Sequence, residues 1–177
     1  MDGKSLNRPL HARVLPNLFT LANLFFGIMS LVLTMDHKFH YAAYTILFSV
    51  VMDGMDGKVA RRLDTSSTFG KELDSLSDLV SFGVAPAILI YAAFMNAPYG
   101  NFGLAIAVVF ALCGAIRLAR FNVLNITTHF VGVPITVAGG LLGLFALMGH
   151  VLPLIFYPIV TVILSFLMVS SIKVPKY

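Results

Sequence analysis

Charge is scarce in this chain. Of its 177 residues only 11% are Asp, Glu, Lys or Arg, whereas 58% are hydrophobic, and the mean hydropathy is +0.90. A soluble domain carries about a quarter of its residues charged, so that class is excluded and the sequence reads as an all-α integral membrane protein. Cysteine is almost absent as well. Cys113 stands alone inside a predicted helix, which excludes an intramolecular disulfide and leaves it as a small core residue. The first apolar run is long and has no small-residue cleavage site, so it is expected to be a retained span and not a removable signal. No internal repeat is evident and no stretch remains for a soluble domain, so residues 1–177 read as one membrane domain.

Six apolar runs are present, at 18–35, 41–52, 76–94, 102–116, 135–148 and 152–171. A span needs about 20 residues. The second run therefore spans only if its helix continues into the polar residues that follow it, which brings those residues to the edge of the bilayer, facing protein. Eleven of the twelve cations fall on one side of the six predicted spans, Lys38 being the exception. Both termini and the polar stretch are thus expected on the cytoplasmic side. The excess of four positive charges lies along that face, which suits anionic lipid headgroups better than nucleic acid. Residues 1–15 place Leu6, Leu10 and Val14 four apart, as in a short interfacial helix, and Pro16 is expected to open the first span.

Residues 53–78 hold six of the eight acids: Asp53, Asp56, Asp64, Glu72, Asp74 and Asp78. Asp53 and Asp56 stand three apart, and Asp74 and Asp78 four apart, so on helices each pair shares a face. Two such pairs brought together form a four-carboxylate cup. Four unpaired anions cannot be buried without cations, and carboxylate oxygens suit hard ions such as Mg²⁺ or Mn²⁺. Gly70 continues the Asp74–Asp78 stripe, while Asp64 is expected to cap a turn and Glu72 to be solvated. Gly57 and Ala60 are small and leave room for a bulky group. Arg61, two turns beyond Asp53, offers a fork of donors suited to phosphate.

Elsewhere the polar residues are sparse. Asn17, Thr20 and Asn23 share one side of the first helix, either bonding to neighbouring helices or walling the acidic cup. His37 and His40 lie in a predicted outer turn and read as solvated. Arg117 and Arg120, in IRLARFN, read either as topology anchors or as an anion site. Asn125-Ile126-Thr127 resembles a glycosylation triplet, inert on a cytoplasmic link. Gly139 and Gly143 suggest close helix packing.

The pattern Asp53-x-x-Asp56-Gly57-x-x-Ala60-Arg61, eight residues, then Gly70-x-x-x-Asp74-x-x-x-Asp78 resembles the signature of the CDP-alcohol phosphotransferases. Residues 70–87, 117–122 and 131–139 resemble the phosphatidylserine synthase branch of that family. The resemblance implies six transmembrane helices, a homodimer and a site open to the cytoplasmic leaflet of the cell membrane. It implies that Asp53, Asp56, Asp74 and Asp78 hold two divalent cations, with Asp78 also accepting a proton. It further implies that Gly57, Ala60, Arg61 and Gly70, with Ser67, Asn17 and Thr20, bind CDP-diacylglycerol. The family's first helix often has Arg where this chain has Asn23, so no phosphate role carries over to that position.

The expected reaction is direct attack by the hydroxyl of L-serine on the phosphatidyl phosphorus, giving phosphatidylserine and CMP. Arg117, Arg120 and Asn122 are the candidate serine-binding residues. No Ser, Cys or His stands beside a base in residues 53–78, which disfavours a covalent intermediate. Phosphatidylglycerol phosphate or phosphatidylinositol phosphate synthesis is the rival within the family. A cation or proton transporter is the rival outside it, since intramembrane carboxylates mark ion paths, although transporters of that kind commonly show repeats.

Overall fold

The computed structural model describes residues 10–63, 67–124, 130–149, 151–170 and 173–174. Helix α1 covers Leu10–Met35 and α2 Phe39–Leu63. Helix α3, Thr68–Asp78, runs on without a break through a π-helical stretch, Leu79–Val84, into α4, Ala85–Ile90, and a second π stretch, Tyr91–Met95. Helices α5 (Asn96–Leu124), α6 (Ile135–Leu147) and α7 (Phe156–Val169) follow. Phe130–Val131 pairs antiparallel with Lys173–Val174, a two-residue ladder. The described chain is otherwise helical, as its composition requires.

The boundaries follow local chemistry. His37 takes a positive φ of 58° in the turn that sends α2 back along α1. Ser67 caps α3, its Oγ accepting from the Gly70 N–H at 2.9 Å. Gly100, with φ 49° and ψ −125°, breaks α5 where the sequence predicts an outer turn. Pro16 departs from expectation: α1 begins at Leu10 and runs through it. A proline seven residues into a helix forfeits one backbone bond, and the remainder of this long helix tolerates that loss. Residues 1–9 of the expected interfacial segment and the triplet at 125–127 lie outside the described residues.

Both π stretches lie just before a proline. The Ala85 N–H reaches the Val80 carbonyl and the Asn96 N–H reaches the Tyr91 carbonyl, each five residues back. Pro86 and Pro98 have no N–H to offer the carbonyls four residues before them, so the helix widens there. The Phe82 carbonyl, deprived of Pro86, lies directly against Gly139 of α6, where any Cβ would collide with it. Gly143 likewise admits Ile46 of α2. The pair Gly139 and Gly143 thus works as predicted, letting α6 seat on two neighbours.

Inside the bundle lie Ile46, Phe82, Leu89, Phe110, Leu142 and Tyr157, all fully or almost fully buried. Outside it Phe25, Phe48, Leu112 and Phe166 are exposed. An apolar outer surface of this extent has no place in water. The stretches Asn17–Met35 and Thr68–Val123 are long and apolar enough to cross a bilayer, the second folding back at Gly100. The chain is a membrane protein with a packed polar site inside an apolar shell.

Candidate active site

The site forms where α1, α2 and α3 converge, with α5 and α6 closing it. Carboxylate oxygens of Asp53, Asp74 and Asp78 lie within 4.8 Å of one another, so three of the four predicted ligands meet. The side chain of the fourth, Asp56, lies outside the described residues, as do those of Ala60 and Arg61. Asp78 is buried, and Asp53 and Asp74 are half-buried. Asp53 and Asp78 face each other across this short gap. Two carboxylates this close and this buried repel each other unless a proton or a cation offsets their charge. The donor set, three clustered hard oxygens, fits a divalent ion such as Mg²⁺ or Mn²⁺.

Two neighbours of the acids come from far along the chain. Thr136, on the first turn of α6, lies beside the Asp53 carboxylate. Asn23, in the middle of α1, donates its Nδ2 to Asp78 Oδ1 at 3.0 Å. The main-chain carbonyl of Asn23 accepts from Ser49 Oγ of α2 at 3.1 Å and from Ser81 Oγ of the π stretch at 3.0 Å. Its amide oxygen, by contrast, is buried and meets no donor among the described residues. An empty buried acceptor costs about 1–3 kcal/mol, so this side chain is poorly explained by packing alone. Asn23 is expected either to bond to neighbouring helices or to wall the acidic cup, and it bonds to Asp78 of a neighbouring helix. Thr136 sits inside an apolar run, and the particular partner of neither residue has a local sequence signal.

The predicted nucleotide-side residues also gather. Asn17 Oδ1 and Ser67 Oγ both border Gly70, where an added Cβ would lie 3.2 and 3.1 Å from them. Glycine at that point lets the α1 amide and the α3 cap approach the same backbone. Thr20 is buried on the same side of α1. An added Cβ at Gly57 would meet nothing within 4 Å among the described residues.

The three candidate serine-binding residues on α5 separate. Arg117 lies within electrostatic reach of Asp78, and its buried Nε has no partner among the described residues. Arg120 instead donates Nη1 to the Val169 carbonyl at 3.0 Å, capping α7. Asn122 bonds Ser75 Oγ at 3.1 Å and Glu72 at 3.4 Å, tying the end of α5 to α3. Glu72 is exposed, as predicted.

Comparison with known proteins agrees with this geometry. Residues 13–172 match the family model described as CDP-alcohol phosphatidyltransferase. A CDP-diacylglycerol--serine O-phosphatidyltransferase of Methanocaldococcus jannaschii is 42% identical over 161 residues, 89% of this chain and 72% of that protein. The enzyme of the same name from Bacillus subtilis is 36% identical, covering 92% of this chain and 90% of its own. An archaetidylserine synthase of Methanothermobacter thermautotrophicus is 41% identical over 92% of this chain and 70% of its own. With a match across nearly its whole length and three of the four signature acids gathered in one cluster, the chain belongs to the CDP-alcohol phosphatidyltransferase family.

Proposed function

We propose that this protein is an enzyme that transfers the phosphatidyl group of CDP-diacylglycerol to the hydroxyl of L-serine, yielding phosphatidylserine and CMP. The observation that carries the reading is the buried carboxylate of Asp78, set beside two further acids and facing Arg117. Asp53, Asp56, Asp74 and Asp78 are the residues that hold two divalent cations, Mg²⁺ or Mn²⁺. When bound, such ions neutralise the charge that the diphosphate gathers as CMP departs.

The chain's own groups supply the rest. The serine hydroxyl is a weak nucleophile near neutral pH. Asp78 accepts its proton as the hydroxyl oxygen bonds to the phosphatidyl phosphorus and the bond from that phosphorus to the CMP oxygen breaks. Arg117 pairs with the serine carboxylate in bidentate fashion, with Arg120 and Asn122 shaping the wall behind it. Asn17, Thr20, Gly57, Ala60, Arg61, Ser67 and Gly70 receive the cytidine diphosphate, Arg61 holding phosphate. Attack is direct, so configuration at a chiral phosphatidyl phosphorus inverts.

The protein sits in the cytoplasmic membrane as a homodimer of six-span chains, an interfacial segment preceding the first span. Both termini and the site face the cytoplasm, as eleven of twelve cations on one side favour. The donor's tails then remain in the bilayer while its cytidine is in water.

The test is purified protein with CDP-diacylglycerol, Mn²⁺ and a panel of labelled alcohols. CMP release with serine is expected. Release only with glycerol phosphate or inositol phosphate would move the assignment within the family, and ion flux in liposomes without CMP release would overturn it. The archaetidylserine synthase relative favours one second reading, an ether-lipid donor. Comparing diacyl with dialkyl CDP-lipids separates the two.

A further inference from the structure

We propose that Asn23 is the positioning residue of Asp78, an inference that rests on the reading of Asp78 as the proton acceptor. Its amide nitrogen lies 3.0 Å from Asp78 Oδ1 across 55 positions of sequence, in a fully buried setting. An ionised carboxylate only accepts hydrogen bonds, so the NH₂ end of the amide must face Asp78. The amide oxygen is thereby turned into a buried position with no donor among the described residues. That arrangement sacrifices one bond to keep another, the one on Asp78.

The backbone beneath the amide is anchored equally closely. The Asn23 carbonyl takes hydroxyls from Ser49 on α2 and Ser81 just after Asp78. One turn further along α1, Gly27 lies directly against Ser81, where a Cβ would collide with it. The helix carrying Asn23 is thus tied to both acid-bearing elements, α2 with Asp53 and the α3 rod with Asp74 and Asp78. One oxygen of Asp78 is held by a neutral donor, which fixes the carboxylate plane and so the direction of its other oxygen. The donor is neutral, so it weakens the carboxylate's hold on a proton less than a cation in the same place would.

The experiment compares the full chain in detergent with Asn23→Leu, which keeps the forked side-chain skeleton at a somewhat larger volume and removes the donor. Asn23→Asp keeps the shape and puts an oxygen in place of the NH₂ group. The control is Ser30→Ala, which removes another buried polar group from the same face of α1. In Asn23→Leu, kcat should fall about 10²-fold while KM for serine and for CDP-diacylglycerol stays within about threefold. Mn²⁺ affinity, read by electron paramagnetic resonance titration, should be little changed, and Ser30→Ala should match the unaltered protein throughout.

A wild-type kcat in Asn23→Leu overturns the inference. So does a kcat loss that vanishes at saturating Mn²⁺, which would make Asn23 a support for metal binding instead. If Asn23→Leu does not fold, Asn23→Asp carries the test, and normal turnover in it is equally fatal. Asp78→Asn is assayed alongside. Near-normal turnover there removes Asp78 as base, and this inference with it, whereas an inactive Asp78→Asn beside an active Asn23→Leu refutes the positioning role alone.

Discussion

Asp36 and Asp78 are the same side chain in opposite circumstances. Asp36 sits in the turn between α1 and α2 with about half its side chain exposed (53%), and takes a 3.3 Å bond from Lys38 two residues away. Asp78 is 7% exposed, and it accepts from a neutral amide in the middle of another helix. Twelve residues, about 18 Å of helix, separate Asn23 from the end of α1 beside Asp36. The surface acid has a local cation and needs nothing more. The buried one is crowded by two further acids, with Arg117 within electrostatic reach, an arrangement that a bound cation would relieve further. Burial and partner, more than residue type, separate a solvated carboxylate from a working one.

The sharpest way to break this contrast is Asp78→Asn. Serine-dependent CMP release should fall by about 10³-fold or more while CDP-diacylglycerol still binds, and turnover within tenfold of normal would put Asp78 on a level with Asp36. Next, Asp53→Ala removes one of three clustered carboxylates. Its Mn²⁺ affinity, by paramagnetic resonance titration, should drop at least about tenfold, and an unchanged affinity would mean the cluster is not the metal site. Arg117→Ala should raise the serine KM about tenfold, the value of one lost charge-assisted bond, with the CDP-diacylglycerol KM steady. Arg120→Ala should act mainly through melting temperature, because its donor caps α7.

Gly139→Ala pushes a methyl group into the Phe82 carbonyl. It should cost about 1–3 kcal/mol in thermal unfolding, with KM values unchanged in the protein that remains folded. Asp36→Asn should be nearly silent, below about 0.5 kcal/mol and without effect on kcat. A large effect at Asp36 would show that the outer turn matters to the site, and the comparison would fail from its other side.

Much of this was legible in the sequence for identifiable reasons. The spacing of four between Asp74 and Asp78 is local and puts both on one helix face, the face that meets Asp53. Long apolar runs called for helices and an apolar exterior, and the gap between the third and fourth runs marked the break at Gly100. Contacts between distant segments left no such trace. Nothing near Asn23 points to Asp78, nothing near Thr136 points to Asp53, and Arg120 resembles Arg117 until α7 is seen beneath it. Pro16 misled because its preference for a helix start is only a preference when residues on both sides favour helix.

The π stretch after Asp78 also bears on how this rod can be compared with others. A π turn accommodates one residue more than an α turn, so positions 79–84 act as a phase shifter. Upstream, Asp74 and Asp78 keep step with α1, while downstream α4 keeps step with α6. A chain that stays α-helical at this point aligns with the present one only if a single-residue gap is opened in the middle of a helix. Deleting one residue from Leu79–Val84 would therefore leave a continuous rod that presents either its acids or its α6-facing side correctly, but not both.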